Sequence, residues 1–598
     1  MLSGDEIILI SVIAGALLLI VSNRFAPDLV AIFVLLGLGF SGVVSSEKAV
    51  AGFSSPVVMT IIGLFVITHA LEATGVVQRI AQYINSVGGG SEVRLIVLFM
   101  LAAALLSLVM NNIASGAVLL PAAVRVARLS NVRLSKLLIP LSFGTLVGGM
   151  ATYLTTANII MSNLLQENGQ QGLGMLDFIP TGSLIVLGGL VFMLLVGRRL
   201  LPNRETMTQA VTMVNLYETY QLGERLWELQ VKPSSPLAGA PLSESGIGSK
   251  LGLTVLAIWR GSRAILAPTP SEVVVPNDYL LVMGRKERVD QLLAWGLAFR
   301  PELHHTNNGG HYNIEVSEVI IPPRSGVIGK TLKEIRFRSK YRLTAVALWR
   351  EGRSYRTDVG DFTLQVGDAL LLTGTPEKIR QLAADRDYLV LNIQDDQTSK
   401  YSQKAVWSLV ITVLVLIFAT LDIAPLSEIM LAGAAAVVAT GCLNMNEAYR
   451  AIEWRVVFLI AGMLPISTAM VDTGLAARAG ELMVDSFADS GDFSLLAVFF
   501  MLTVLVTQII GGQVTALVIG PIAITSALQL GVSPQATSVV VAIGCSTAFL
   551  TPIAHPVNVL MMGPAGYSFS DFFKVGLGMT LTTFIMLMLG MALFWGIR

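Results

Sequence analysis

The sequence predicts a polytopic α-helical membrane protein: an inverted repeat of five spans plus one re-entrant hairpin in each half, with a pair of small α+β modules inserted between the halves on the cytoplasmic side. Three observations predict it. Of 598 residues, 54% are hydrophobic and 13% charged, with a mean hydropathy of +0.70, too apolar for a soluble chain of this length. The apolar sequence repeats about 400 positions on, in unbroken register: Ser107 to Pro121 (SLVMNNIASGAVLLP) answers Thr507 to Pro521 (TQIIGGQVTALVIGP), and Thr152 to Asn158 (TYLTTAN) answers Pro552 to Asn558 (PIAHPVN). The charged middle carries a second repeat, offset by about 90: LTVLAIWRG (Leu253 to Gly261) recurs as LTAVALWRE (Leu343 to Glu351), and NDYLLVMG (Asn277 to Gly284) as GDALLLTG (Gly367 to Gly374).

Five spans are expected in residues 1–200: Ile7 to Ser22, Leu29 to Val44, Val57 to Leu71, Leu134 to Leu165 broken near Thr155, and Ile179 to Val196. The first is preceded by Asp5 and Glu6 rather than by lysines, so it reads as a retained helix, not a cleaved signal. Residues 404–598 repeat the plan with Val406 to Leu421, Ile429 to Leu443, Val456 to Met470, Ala536 to Met562 broken near His555, and Phe573 to Trp595. Between the third and fourth span of each half lies a longer apolar block, residues 93–126 and 493–527, split at Asn111-Asn112 and at Gly511-Gly512-Gln513. Arms of about 15 residues fall short of the ~20 needed to cross, which predicts a re-entrant hairpin with its polar break at the tip. Interrupted apolar segments at corresponding places in two halves point to a transporter's binding site.

Five crossings separate the hairpins, so they enter from opposite faces. Arg125, Arg128, Arg133 and Lys136 follow the first hairpin, whereas Leu528 to Pro534 carries no Lys or Arg. The positive-inside rule then opens the first hairpin to the cytoplasm and the second to the outside. Arg198, Arg199 and Arg204 close the fifth span, which makes residues 200–403 cytoplasmic and places the protein in the cell's inner (plasma) membrane. Amphipathic stretches at Val76 to Ile84 and Leu475 to Val484 read as interfacial linkers or as ordinary connecting helices.

Residues 216–299 and 306–393 form the tandem modules. Each has a Gly (Gly239, Gly329), a short helix, β-rich segments joined by turns, and a closing helix. The run Gly246 to Gly252 departs from a dinucleotide fingerprint in its third Gly, one position late, and no strand is expected before it, so it is not read as a cofactor site. The charged run Arg336 to Arg342 reads as a solvated helix face before a phosphate site. Cys442 and Cys545 lack ligand spacing and read as packing residues. The formal net charge of zero argues against nucleic acid as a partner. Neither a nucleophile elbow nor a His-Glu-x-x-His nor a phosphate loop is present, and no enzyme activity is expected. His69, Glu72 and Asp472 read as interfacial; Ser162 and Asn163 read as satisfying backbone groups.

The segments Gly52 to Val76, Glu447 to Gly474, NNIASGAVLLP, GGMATYLTTAN, and Thr551 to Gly576 resemble the divalent anion:sodium symporter family, in the branch that contains sulfate permeases. The middle modules resemble TrkA-C (RCK-C) domains. The resemblance implies an elevator-type transporter, a homodimer in the bilayer, coupled to Na+ and using no other cofactor. It implies a small divalent anion as substrate, sulfate ahead of C4-dicarboxylate. Carried over by position, one cation site uses Ser107, Asn111, Asn112 and carbonyls near Leu154 and Thr155; the other uses Thr507, Gly512, Gln513 and the carbonyl of Ala554. Substrate is expected between Asn111, Asn112, Ile113, Thr156, Gly511, Gly512, Gln513 and Pro556, with Asn158 and Asn558 bracing the unwound segments.

The chain departs from the family's Ser-Asn-Thr tips. Gly512 removes a side-chain amide, for which Gln513 or Thr515 is the expected substitute, and His555 stands in the second unwound loop. His555 is read either as a substrate or proton group or as a neutral histidine bonded to a free carbonyl. These departures leave open a proton-coupled or uncoupled transporter or exporter, and a transporter-derived anion sensor. A nucleotide, with cyclic di-AMP as the family-level candidate, is the expected effector of the modules.

Overall fold

The computed structural model describes residues 3–22, 24–76, 91–130, 132–203, 226–261, 263–299, 315–323, 325–350, 353–355, 359–383, 385, 387–391, 402–487 and 491–597. Val76 to Ile84 lies outside them save its first residue, as do residues 216–225, 306–314, 392 and 393 of the expected modules.

The first half contains α1 (Gly4–Val21), α2 (Pro27–Phe40), α3 (Ser46–Ala51), α4 (Pro56–Ala73), α5 (Glu92–Ser107), α6 (Asn112–Leu129), α7 (Leu138–Met150), α8 (Thr156–Glu167) and α9 (Ile179–Phe192). Local chemistry fixes the starts. Ser3 and Glu6 form a capping box on α1, while Ser45 and Ser55 cap α3 and α4 through their hydroxyls, each satisfying an amide that the first turn leaves unpaired. Residues 151–155 interrupt the fourth span between α7 and α8, as expected.

Two five-stranded antiparallel sheets follow. Strands β1 (Leu226–Val231), β2 (Thr254–Arg260), β3 (Arg263–Leu266) and β4 (Tyr279–Met283), helix α10 (Lys286–Ala294) and β5 (Leu297–Phe299) make the first, ordered β3-β2-β4-β1-β5. Strand β6 (Glu315–Ile320), helix α11 (Phe337–Tyr341), strands β7 (Thr344–Arg350), β8 (Arg353–Tyr355) and β9 (Ala369–Gly374), helix α12 (Pro376–Ala383) and β10 (Leu389–Val390) make the second, ordered β10-β6-β9-β7-β8. Both sheets shift register at the same place, Val255/Ala257 and Ala345/Ala347. The short helix expected after the repeated glycine forms only in the second module: residues 246–252 are a chain of turns, made by Gly246 and Gly252 at φ +73° and +59°.

The second half comprises α13 (Ala405–Thr420), α14 (Leu426–Ala439), α15 (Met445–Ala451), α16 (Trp454–Asp472), α17 (Leu475–Phe487), α18 (Asp492–Ile510), α19 (Gly512–Leu530), α20 (Pro534–Ser546), α21 (Pro556–Ala565) and α22 (Phe569–Phe594). Among the described residues, seven helical segments are long and apolar enough to cross a membrane. Among them are α18 and α19, at 19 residues each; α5 and α6 have 16 and 18. The expected arm length of about 15 residues is therefore too short. The helices run on through the polar residues at which the apolar stretches stop, so arm length does not distinguish a hairpin from two spans. The helix α17 coincides with the second amphipathic stretch and packs on α19, and its Arg478 donates to the buried Glu6 carboxylate at 3.0 Å.

Glycines knit the halves together reciprocally. A methyl group on Gly63 of α4 would lie 2.6 Å from the carbonyl oxygen of Met430 in α14, and one on Gly462 of α16 would lie 2.8 Å from that of Ala31 in α2. Both members of the first pair recur 399 positions away in the second, with roles exchanged. Backbones approaching this closely admit no side chain, which is why small residues sit where helices cross in a membrane.

Candidate functional site

Each hairpin tip meets the break in the fourth span of its own half. At the first tip, Asn111 caps α6: its Oδ1 accepts from the Ala114 amide at 2.8 Å, and its Nδ2 donates to Glu453 Oε1 at 3.3 Å. Ser107 Oγ donates to Asn112 Oδ1 at 2.6 Å, closing the turn between α5 and α6. The Asn112 side chain rests on Gly149, where an added methyl would come within 2.8 Å of its Oδ1 and 3.1 Å of Thr155 Cγ2. Thr152 Oγ1 ties the break to the tip by donating to the Leu108 carbonyl at 2.9 Å and accepting from the Leu154 amide at 3.2 Å. Ser107, Asn112 and Thr155 are thus brought together; Asn111 points its amide away, toward Glu453. Ile113 and Thr156 stand half-buried at the first turns of α6 and α8.

The second tip reaches the same place by other chemistry. Gly511 turns at φ +80°, and Gly512 lies so close to α20 that a methyl group would stand 2.2 Å from the Cys545 carbonyl oxygen. The missing amide at 512 therefore has a packing cause. Neither expected substitute reaches the break: Thr515 Oγ1 donates to the Gly511 carbonyl at 2.8 Å, and Gln513 makes no side-chain hydrogen bond among the described residues. Gln508, one turn before the tip, makes the connection instead. Its Nε2 donates to the Thr547 carbonyl at 2.9 Å and its Oε1 accepts from the Thr551 amide at 3.2 Å. Its counterpart in the first half is Leu108, whose backbone does that task.

Asn158 and Asn558 each bridge two carbonyls of their break, with one difference in register. Asn158 Nδ2 donates to the carbonyls of Thr152 (2.5 Å) and Gly149 (3.3 Å), and Asn558 Nδ2 to those of Ala548 (2.7 Å) and Thr551 (3.3 Å). The asparagines are 400 apart but their carbonyl partners 399, so the register does slip by one inside the second break. Asn558 Oδ1 accepts from Ser142 Oγ of α7 at 2.6 Å, joining the halves, whereas Asn158 Oδ1 is buried with no hydrogen-bond partner among the described residues. His555 caps α21: its Nδ1 accepts from the Val557 amide at 3.2 Å. It is bonded to an amide, not to the free carbonyl expected, and that ring nitrogen must be unprotonated to accept. Pro556 is exposed, and the Ala554 amide donates to Thr551 Oγ1 at 3.2 Å.

The helix leaving each tip packs on the helix leaving the other half's break, α6 on α21 and α19 on α8. Four helix N-termini thereby gather around the two breaks, and each presents unpaired amides and partial positive charge. Buried oxygens stand among them without hydrogen-bond partners in the described residues: Thr155 Oγ1, Asn158 Oδ1 and Ser115 Oγ in the first half, Thr507 Oγ1 in the second, with only the weakly bonding Cys545 thiol beside it. Among the described residues no cluster of three His, Cys, Asp or Glu side chains forms a metal site. The oxygens on hand are neutral, the kind that suits a hard monovalent cation rather than a transition metal. Glu453, Gln508 and Ser142 are the residues that sequence reasoning missed. Of these only Gln508 left a signal, a carboxamide inside an apolar arm.

The citrate transporter family CitMHS matches residues 17–544. An uncharacterized transporter of Synechocystis is 33% identical over 98% of this chain and 97% of its own length. The uncharacterized transporter YfbS of Escherichia coli is 30% identical over 97% of each chain. Sodium/sulfate cotransporter 2 of Chlamydomonas reinhardtii is 25% identical over 58% of this chain and 40% of its own.

Proposed function

Since the chain belongs to the citrate transporter family CitMHS and is a multi-pass membrane transporter, we propose that it couples entry of Na+ to import of a small divalent anion. Sulfate is favoured over C4-dicarboxylate. The observation that carries this reading is the meeting of each tip with a helix break, where unpartnered neutral oxygens of Thr155, Asn158 and Thr507 adjoin helix N-termini. The oxygens and the carbonyls near Leu154 and Ala554 would hold Na+; the N-termini of α6, α8, α19 and α21 would hold the anion without a Lys or Arg. Binding of cation and anion is then mutually dependent, because each neutralises the field that opposes the other. The name of the algal sodium/sulfate relative supports both the coupling ion and the substrate class.

Alternating access would proceed as an elevator in a homodimer, with α5 to α8 and α18 to α21 as the moving body. The reciprocal Gly63–Met430 and Gly462–Ala31 contacts support an inverted repeat and a rigid frame of α2, α4, α14 and α16. Residues 200–403 would be cytoplasmic. Lys136 of the basic loop donates to the carbonyls of Arg198 and Leu201, and Ser135 of the same loop accepts from Tyr567 beyond α21. One face therefore collects the basic loop and the end of α9, which leads into the modules. A phosphate-bearing effector fits the cleft of about 590 Å³ between the modules, whose lining includes Arg285 and Arg288 of the first and Lys333, Arg336 and Arg338 of the second.

Uptake of radiolabelled sulfate and succinate into proteoliposomes tests the reading, with and without an inward Na+ gradient, for wild type and Asn112→Ala. Na+-driven accumulation of one anion, lost in the variant, is expected. Flux driven equally by a proton gradient alone overturns the coupling ion, and binding without flux overturns transport.

A further inference from the structure

The two modules share one fold, but among the described residues only the second joins the apolar cluster of the membrane helices, and the turn at the contact carries a different residue at its left-handed position in each module. Each has the same turn before its fourth strand. In the first module Asn277 N donates to the Val231 carbonyl (2.8 Å), Val275 N donates to Asp278 Oδ2 (2.8 Å), and Arg260 grips both Asp278 oxygens (3.1 and 2.9 Å). In the second, Gly367 N donates to the Ile321 carbonyl (2.9 Å), Gln365 N donates to Asp368 Oδ2 (2.8 Å), and Arg350 grips Asp368 (2.7 and 2.6 Å). The turn places the central residue in the left-handed region in both copies, φ +67° at Asn277 and +80° at Gly367. Asparagine tolerates that conformation, so backbone geometry alone does not demand glycine at 367.

Close approach demands it. A methyl group on Gly367 would lie 2.7 Å from the Val559 carbonyl oxygen, and a methyl group on Gly563 would lie 2.1 Å from the Gly367 carbonyl oxygen. Two glycines thus let the turn lie backbone to backbone on α21, the helix that His555 caps and that carries Asn558. Around this contact Ile320, Ala369 and Leu391 of the second module enter the same apolar cluster as the membrane helices. No described residue of the first module does, and Asn277 is exposed.

We infer that the turn Gln365 to Asp368 is a latch on α21, through which the second module sets how readily that helix leaves its place, the first module acting only through the second. The role of α21 in transport rests on the function proposed above; the latch itself does not. Sequence divergence between otherwise equivalent turns decides which module docks. The contact is a packing contact of two backbones, intolerant of a single added carbon and hence two-state: engaged or released.

Two substitutions release it in different ways. Gly563→Ala adds the offending methyl while favouring helix in α21, so any loosening of that helix must come from the lost contact. Gly367→Asn installs the residue that the first module already uses in this turn, which keeps the turn foldable. Hydrogen–deuterium exchange on the full-length protein in nanodiscs, and Na+-dependent uptake in proteoliposomes, are read side by side, with Asn277→Gly as control. Exchange is expected to rise about tenfold in residues 365–368 and 557–565 in both variants, with the module's strands unaffected. Uptake changes severalfold in the same direction in both, and the control does neither. Unchanged exchange in 365–368 overturns the latch, as does a released turn with α21 and uptake unaltered. Raised exchange with no uptake by any form, wild type included, upholds the latch and overturns the transport reading instead.

Discussion

Asn111 and Glu453 stand 342 residues apart in the chain, yet Asn111 Nδ2 on the first hairpin tip donates to Glu453 Oε1, the residue before α16, at 3.3 Å. The bond joins an element proposed to move to one proposed to stay. A hydrogen bond to a carboxylate contributes about 1.5–3 kcal/mol when shielded. Here, with both groups half-exposed, about 1 kcal/mol is the appropriate scale.

Glu453→Ala is therefore expected to free the tip. With a cysteine at Ile113 in a background lacking Cys442 and Cys545, thiol labelling should quicken about fivefold, the equivalent of about 1 kcal/mol. Glu453→Gln, which keeps the acceptor and loses the charge, should fall between. Equal labelling in all three forms would mean that the bond holds nothing.

Thr507 and Thr152 predict opposite outcomes for the same substitution. Thr507 Oγ1 is buried without a hydrogen-bond partner among the described residues, so Thr507→Val should leave thermal stability unchanged or raised while weakening Na+ activation of uptake at least several-fold. Thr152 Oγ1 serves both the Leu108 carbonyl and the Leu154 amide, so Thr152→Val should cost about 1–3 kcal/mol of stability. Thermal unfolding in detergent alongside Na+ titration of uptake separates the two.

At the second tip, Gly512→Ala should abolish uptake, because its methyl drives the tip off the Cys545 carbonyl. Gly511→Ala meets nothing within 4 Å, and its cost is the backbone conformation alone, φ +80° with ψ 157°, a region essentially confined to glycine, at about 1–3 kcal/mol. Its uptake should persist at reduced stability. Loss of uptake in both would locate the constraint in tip flexibility rather than in contact with α20.

Asn558→Ala should be the most damaging change in the second break. It releases the Ala548 and Thr551 carbonyls and strands Ser142 Oγ in a buried setting, a loss of about 2–5 kcal/mol if the three hydrogen bonds act independently. Ser142→Ala alone should cost about 1–3 kcal/mol by leaving Asn558 Oδ1 unpaired. Chemical denaturation of the purified protein measures both.

Arg338 reaches from the second module to the Val255 carbonyl of the first, and burial pushes its guanidinium down to about 10. A lowered pKa in a cation means that the folded chain holds the charge less well than the unfolded one. The penalty is complete below about pH 10 and fades as pH rises from there toward the ordinary arginine range. Arg338→Met should accordingly not lower the melting temperature at pH 7.5. Titration with ATP and with pyrophosphate should show binding to the wild type and at least tenfold weaker binding to this variant.

Much of the site was legible because its chemistry is local. A polar or glycine-bearing break in apolar sequence can be tolerated only at a tip or an unwound segment, so residues 107–113, 152–158, 507–515 and 551–558 announced themselves. Asparagine at 158 and 558 could likewise be read as a brace, since an amide is what freed carbonyls need. Glu453 gave no such sign: a carboxylate at the start of a span reads as interfacial until another element is folded against it. The absent side chain at 512 looked like a missing ligand, yet its cause is a carbonyl of α20 lying 33 residues on.

By itself the sequence determined the membrane class, the places where polar residues and glycines break the apolar helices, and the doubled β-rich middle, because periodicity, hydropathy and turn chemistry act over a few neighbouring residues. Tertiary structure alone decided that Gln508 rather than Gln513 ties the second tip to its break, that Asn111 faces Glu453, that the repeat slips by one inside residues 548–558, and that the second module rather than the first lies on α21. Those outcomes turn on gaps of about an ångström between backbones far apart in the chain, and only close packing of the whole fold sets such distances.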